Sequence, residues 1–187
     1  MRRKTFEVLF EPAQGMAELV KNPCLWRSGY YFTLSLGLFT GVITNSWLLD
    51  QELAVRLAMV IAGVIIGATA LALYGFLLHG IMETFGALAG NPNGLICLLG
   101  YTALPFLVLT PAAFLTSKMG LEGLPLLLLV VLLASLWTLY LLVRSLEAVY
   151  LIDFKRAAIA VLFSLLMLYI VFLLPWQLLG TLVVYRL

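Results

Sequence analysis

The chain contains a single histidine, and it lies one helical turn before a glutamate: His79 and Glu83, in the stretch LLHGIMETFGALAGNPNGL. An i, i+4 pair shares one face of a helix. An imidazole beside a carboxylate can relay protons, contribute to a metal site or anchor a helix end at the water boundary. Further along, Trp137, Tyr140, Arg144 and Glu147 follow spacings of three, four and three, which puts them on one stripe as well. Asp153, Lys155 and Arg156 come soon after. A charge costs about 2.5–3.5 kcal/mol at the centre of a membrane helix and less near the headgroups. The expectation is therefore that Glu83 or Glu147 pairs with Arg144, with His79 alongside, in a polar layer under one membrane face. Interfacial anchoring is the first reading of this layer, and a proton or substrate relay is the second. A metal site built from His79, Glu83 and Glu147 is not expected, because such sites want three or four convergent ligands and there is one histidine. No phosphate-cradling glycine loop, nucleophile elbow, paired zinc motif or haem-type cysteine pair is present, so neither catalysis nor a cofactor is expected.

The elements that must carry these residues follow from composition. Of 187 residues, 64% are hydrophobic and 11% charged, and the mean hydropathy is +1.11. Soluble domains run closer to half apolar and a quarter charged, so lipid must be the solvent. A net charge of +2 gives no reason to expect a nucleic-acid partner. Cys24 and Cys97 are too few for a disulfide framework. The charged N-terminus lacks the apolar core of a signal peptide, so insertion is expected to rely on internal spans.

The apolar runs are continuous rather than alternating, which selects helices over a barrel. About 20 residues cross a bilayer, and five spans are expected: 28–49, 53–82, 95–115, 124–143 and 157–174. The fold class is an all-α polytopic bundle, with residues 1–27 as a separate N-terminal segment and 28–187 as the membrane domain. Pro105 and Pro111 in the third span predict a kink, and Pro175 with Trp176 a bend near the far interface. Gly37 with Gly41 and Gly63 with Gly67 are spaced for close helix approach. Gly86, Gly90 and Gly94 bracket a compact Asn-Pro-Asn-Gly turn without lysine or arginine, which suggests a covered surface.

With an odd number of spans the termini lie on opposite sides. A cytoplasmic N-terminus puts Arg2, Arg3, Lys4, Lys21, Arg27, Arg144, Lys155 and Arg156 inside, against Arg56, Lys118 and Arg186 outside. Eight against three obeys the positive-inside rule. In the N-terminal segment, Phe6, Leu9, Phe10, Ala13, Met16, Ala17 and Val20 fall near helical spacing. Pro12 suits a first helical turn and Pro23 a stop, which predicts a break near 10–11 and a helix over 12–22. Its apolar stripe and basic ends fit a helix in the headgroup layer, or a docking surface for a soluble partner.

In order, LFEPAQGMAELVKNP, LLHGIMETFG, LLGYTALPFLV and LWTLYLLVRSLEAVYLIDFKRAAIAVL resemble the Yip1 domain family in its short prokaryotic form, over about residues 6–175. Gly100-Tyr101, Leu104-Pro105, Trp137, Tyr150 and Arg156-Ala157 carry the resemblance. It implies five spans with the N-terminus in and the C-terminus out, in a prokaryotic inner membrane. Eukaryotic members bind prenylated Rab GTPases through an extended cytosolic region. Only about 27 residues precede the first span here, so a Rab-type partner is not expected. The reading that follows is a non-enzymatic scaffold or accessory subunit that binds membrane proteins, lipids or further copies of itself. The alternative is a small oligomeric transporter or channel using His79, Glu83 and Arg144.

Overall fold

With no water in hydrocarbon, each apolar run must satisfy its backbone internally, and every described element is helical. The computed structural model describes residues 3–47, 52–87 and 90–173. Two short helices come first, α1 (Arg3–Phe10) and α2 (Pro12–Lys21). The break falls at Glu11, and Pro12 takes the first turn of α2. Six further helices follow: α3 (Leu25–Trp47), α4 (Leu53–Thr84), α5 (Pro92–Leu99), α6 (Leu104–Lys118), α7 (Leu124–Tyr150) and α8 (Phe154–Leu168). A 3-10 turn, Gly100–Ala103, joins α5 to α6; a second, Gly120–Gly123, joins α6 to α7. A π-helical turn, Tyr169–Leu173, continues α8. The expected bend at Pro175 and Trp176 lies outside the described residues.

Four stretches are long and apolar enough to cross a membrane: Leu53–Thr84, Pro92–Thr116, Leu124–Tyr150 and Phe154–Val171. The chain is therefore a multi-pass membrane protein. The region expected to hold the first span does form a helix, α3, of 23 residues. It is not among the four, because Arg27, Ser28, Thr33, Ser35, Thr40 and two tyrosines dilute its apolar content. Pro105 sits in the first turn of α6, just after the 3-10 turn, whereas Pro111 lies inside α6 without interrupting it.

Helix α3 packs on α4 and α6, α6 on α7, α7 on α8, and α5 on α4 and α7. Leu95, Leu98, Leu99, Tyr101, Leu141 and Leu146 form the middle of the main core. The N-terminal helices join that core through Val8, Leu9 and Met16, and Ser145 Oγ lies 3.7 Å from Met16 Sδ. The burial is not the single stripe read from the sequence, since Val8 is fully buried and Phe10 is 78% exposed. A break at Glu11 resets the helical phase, so α1 and α2 each present their own face. They cross at Gly15, where an added β-carbon would stand 2.8 Å from the Val8 backbone nitrogen.

Candidate functional site

Helix α4 has 32 residues and is about 48 Å long, more than a tilted crossing of roughly 30 Å of hydrocarbon consumes. At a typical tilt of about 20°, roughly 21 residues cross the hydrocarbon, and the last turns run on into the headgroup region. His79 and Glu83 sit in those last turns. Helix α7, with 27 residues, likewise has Arg144 at the edge of such a crossing and carries Glu147 and Tyr150 beyond it. Both helices finish at the end where α8 begins, so sequence-distant polar residues converge there.

His79 bridges two groups. Its Nε2 is 3.3 Å from Glu83 Oε1, and its Nδ1 is 2.5 Å from the Tyr150 hydroxyl. A carboxylate only accepts, so Nε2 carries the proton in the neutral ring and Tyr150 donates its O–H to Nδ1. The result is a fixed chain from a buried phenol, through a half-buried imidazole, to an exposed carboxylate. Protonating the ring would turn both nitrogens into donors, and Tyr150 would then accept. Gly90 permits this placement, because a β-carbon there would collide with the Tyr150 ring.

Arg144 makes a second group. Its Nη1 is 2.8 Å from Glu147 Oε2, and its Nε donates to the Tyr140 hydroxyl at 3.1 Å. The guanidinium carbon lies 5.2 Å from the Tyr140 ring centre and 5.1 Å from that of Phe154. Arginine is thus clamped within its own helix and by the first residue of α8. The carboxylate it holds is Glu147, while Glu83 meets His79. The two groups are linked along α7, where Tyr150 stands three residues after Glu147. Tyr150 was not anticipated as a member, although the i, i+3 step from Glu147 was there to be read.

The remaining residues singled out from the sequence are spread more widely. Lys21 is exposed in the last turn of α2 and Arg27 in the first turn of α3. Lys155 and Arg156 are exposed at the start of α8, and Arg156 Nε lies 3.5 Å from Asp153 Oδ1. Arg3 and Lys4 fall in α1, and Arg2 lies outside the described residues. Gly67 closes the α3–α4 crossing, with an added β-carbon 2.5 Å from Leu36, and Gly37 faces Val64 there. Gly41 and Gly63 open onto free space. The Cys24 backbone N–H donates to Cys97 Sγ at 2.9 Å, which ties the start of α3 to buried α5. Among the described residues, no three histidine, cysteine, aspartate or glutamate side chains gather in a way that could hold a metal ion.

The family model described as the Yip1 domain matches residues 6–175. No curated protein and no solved structure matches the chain.

Proposed function

The chain belongs to the Yip1 domain family, and on that premise we propose that it is a non-enzymatic scaffold or accessory subunit, holding membrane proteins and lipids against the faces of its spans. The proposal includes α3 as a fifth crossing, a cytoplasmic N-terminus and a prokaryotic inner-membrane location. A Rab-type GTPase has no part in it. The observation that carries this reading is α4. None of the residues in its most apolar stretch is buried within the chain. Ile61, Ile65 and Ile66 are each at least 60% exposed, and beyond its own stretch of helix backbone Gly63 between them has nothing within 4 Å of a would-be β-carbon. Small residues on an apolar face let a second helix approach closely, and in lipid such packing contributes most of the association energy.

The test is native mass spectrometry of the tagged chain, extracted gently from its own membrane. A stoichiometric membrane-protein partner or a second copy is expected, and Gly63→Ile should release it without lowering the stability of the protomer. A protomer that carries no protein partner in the wild type sinks the reading. A second reading, transport, draws support from the Tyr150–His79–Glu83 chain. Against it, the cavity of about 760 Å³ among α4, α7 and α8 is walled mainly by leucine, which offers an ion few ligands. If reconstituted vesicles carry the same flux with and without His79→Ala plus Glu83→Ala, transport through this chain of groups is ruled out.

A further inference from the structure

At the end of α7 the chain turns a tight corner. Leu151 adopts the left-handed conformation, φ 54°, and three residues later α8 begins. This corner, the last turn of α4 and the turn at residues 85–87 line a half-open cavity of about 570 Å³. That volume lies within the range of small-ligand pockets, roughly 300–1,000 Å³. Met82, Phe85, Tyr150, Ile152 and Ile159 supply apolar wall, and Arg156 is the charged residue among those lining it.

The guanidinium is not consumed by its neighbour. Its contact with Asp153 is 3.5 Å long, and the two side chains are 78% and 60% exposed, so the pair is solvated and weak. A guanidinium has five N–H donors in a fork that suits phosphate oxygens. Lys155 is exposed beside it, so residues 151–156 carry two cations against one aspartate, while Glu83 in the last turn of α4 is held by His79. Below the cation the walls turn apolar. Phe85 lies 6.0 Å from the Phe163 ring, and Ile159, Leu162 and Phe163 are exposed along the same helix. A free anion would leave those walls unused, and a neutral lipid would leave the arginine without an acceptor. An amphiphile with an anionic head uses both.

We propose that this cavity binds an anionic glycerophospholipid, with the phosphate on Arg156 and the first methylenes against Phe85, Ile152 and Ile159. The inference rests on the membrane reading and not on the existence of protein partners. Lipid retention is read from the purified chain and partner retention from native membranes, so each can fail without the other. The experiment places the full chain in nanodiscs of equal phosphatidylglycerol and phosphatidylcholine with matched acyl chains, and counts retained lipid by native mass spectrometry. Wild type should retain phosphatidylglycerol in preference. Arg156→Gln should lose it about tenfold, as expected for one charge-assisted phosphate contact. Ile159→Trp, which pushes an indole into the apolar wall without touching the charge, should lose it too, with both variants matching wild type in size-exclusion profile and thermal unfolding. Excess inorganic phosphate should leave the lipid in place. Equal retention of the two lipids, wild-type retention by either variant, or displacement by inorganic phosphate overturns the proposal.

Discussion

Tyr150 has constraints on both its hydroxyl and its ring. The hydroxyl satisfies His79 Nδ1, and the ring occupies the space a side chain at residue 90 would need. Tyr150→Phe keeps the ring and removes the donor, leaving a half-buried imidazole nitrogen without its partner. The expected loss is about 1 kcal/mol of stability, the net worth of one neutral hydrogen bond. Gly90→Ala acts on the ring instead: the β-carbon must push Tyr150 out of a packed position, at about 1–3 kcal/mol. Denaturant unfolding in one fixed detergent measures both, and a Gly90→Ala variant as stable as wild type would show that the ring is free to move. The sequence shows His79 and Glu83 as a pair because i, i+4 neighbours are local. It also shows the stripe from Trp137 to Glu147. What periodicity could not show is that Tyr150 joins the two, or that Gly90 makes room for it. Both depend on where α4, the turn after it and α7 meet, which is a tertiary fact.

At the scale of elements, apolar length marked where α4 and α7 begin, but α7 runs on past its apolar stretch. Helix α4 begins at Leu53, where the run begins, and α7 continues from Leu124 to Tyr150 because no breaker interrupts it. Glycine spacing was a poorer guide to where helices touch. Gly63 sits on open surface and Gly67 meets only a Leu36 side-chain tip, whereas the backbone of another helix comes within 3 Å of an added β-carbon at Gly15 and Gly100, outside the two in-span pairs chosen by spacing. A four-residue repeat finds glycines on one helix face, but a backbone crossing at a turn needs only one. Gly100 starts the 3-10 turn between α5 and α6, and a β-carbon there would stand 2.7 Å from the Ser28 carbonyl oxygen of α3. Backbone cannot step aside as a side-chain tip can, so Gly100→Ala must part α3 from the core. The predicted cost is about 1–3 kcal/mol, read as a lower unfolding midpoint, with Gly63→Ile unchanged as the control. If the two variants unfold alike, the crossing at Gly100 is looser than its geometry implies.

For the whole molecule, packing constrains orientation before any charge is counted. Met16 of α2 reaches Ser145 near the end of α7, and α7 ends where α8 begins. The N-terminal helices, the His79 and Arg144 groups and the phospholipid cavity therefore share one side, whichever way the bundle is inserted. That side holds Arg3, Lys4, Lys21, Arg27, Arg144, Lys155 and Arg156, whereas Lys118 lies at the opposite end of α6 and Arg56 near the start of α4. Positive residues are retained on the cytoplasmic side during insertion, so the shared end should face the cytoplasm. The prediction needs two reporter positions in a chain with Cys24→Ala and Cys97→Ala. A membrane-impermeant maleimide should label Lys118→Cys in intact cells and Lys155→Cys only after lysis. Both lysines are exposed, so a failure to label cannot be attributed to burial in the fold. The reverse pattern would invert the bundle while leaving its internal packing untouched. Labelling of both sites in intact cells would mean that α7 does not cross the membrane, since that helix alone separates the 3-10 turn after Lys118 from the corner before Lys155.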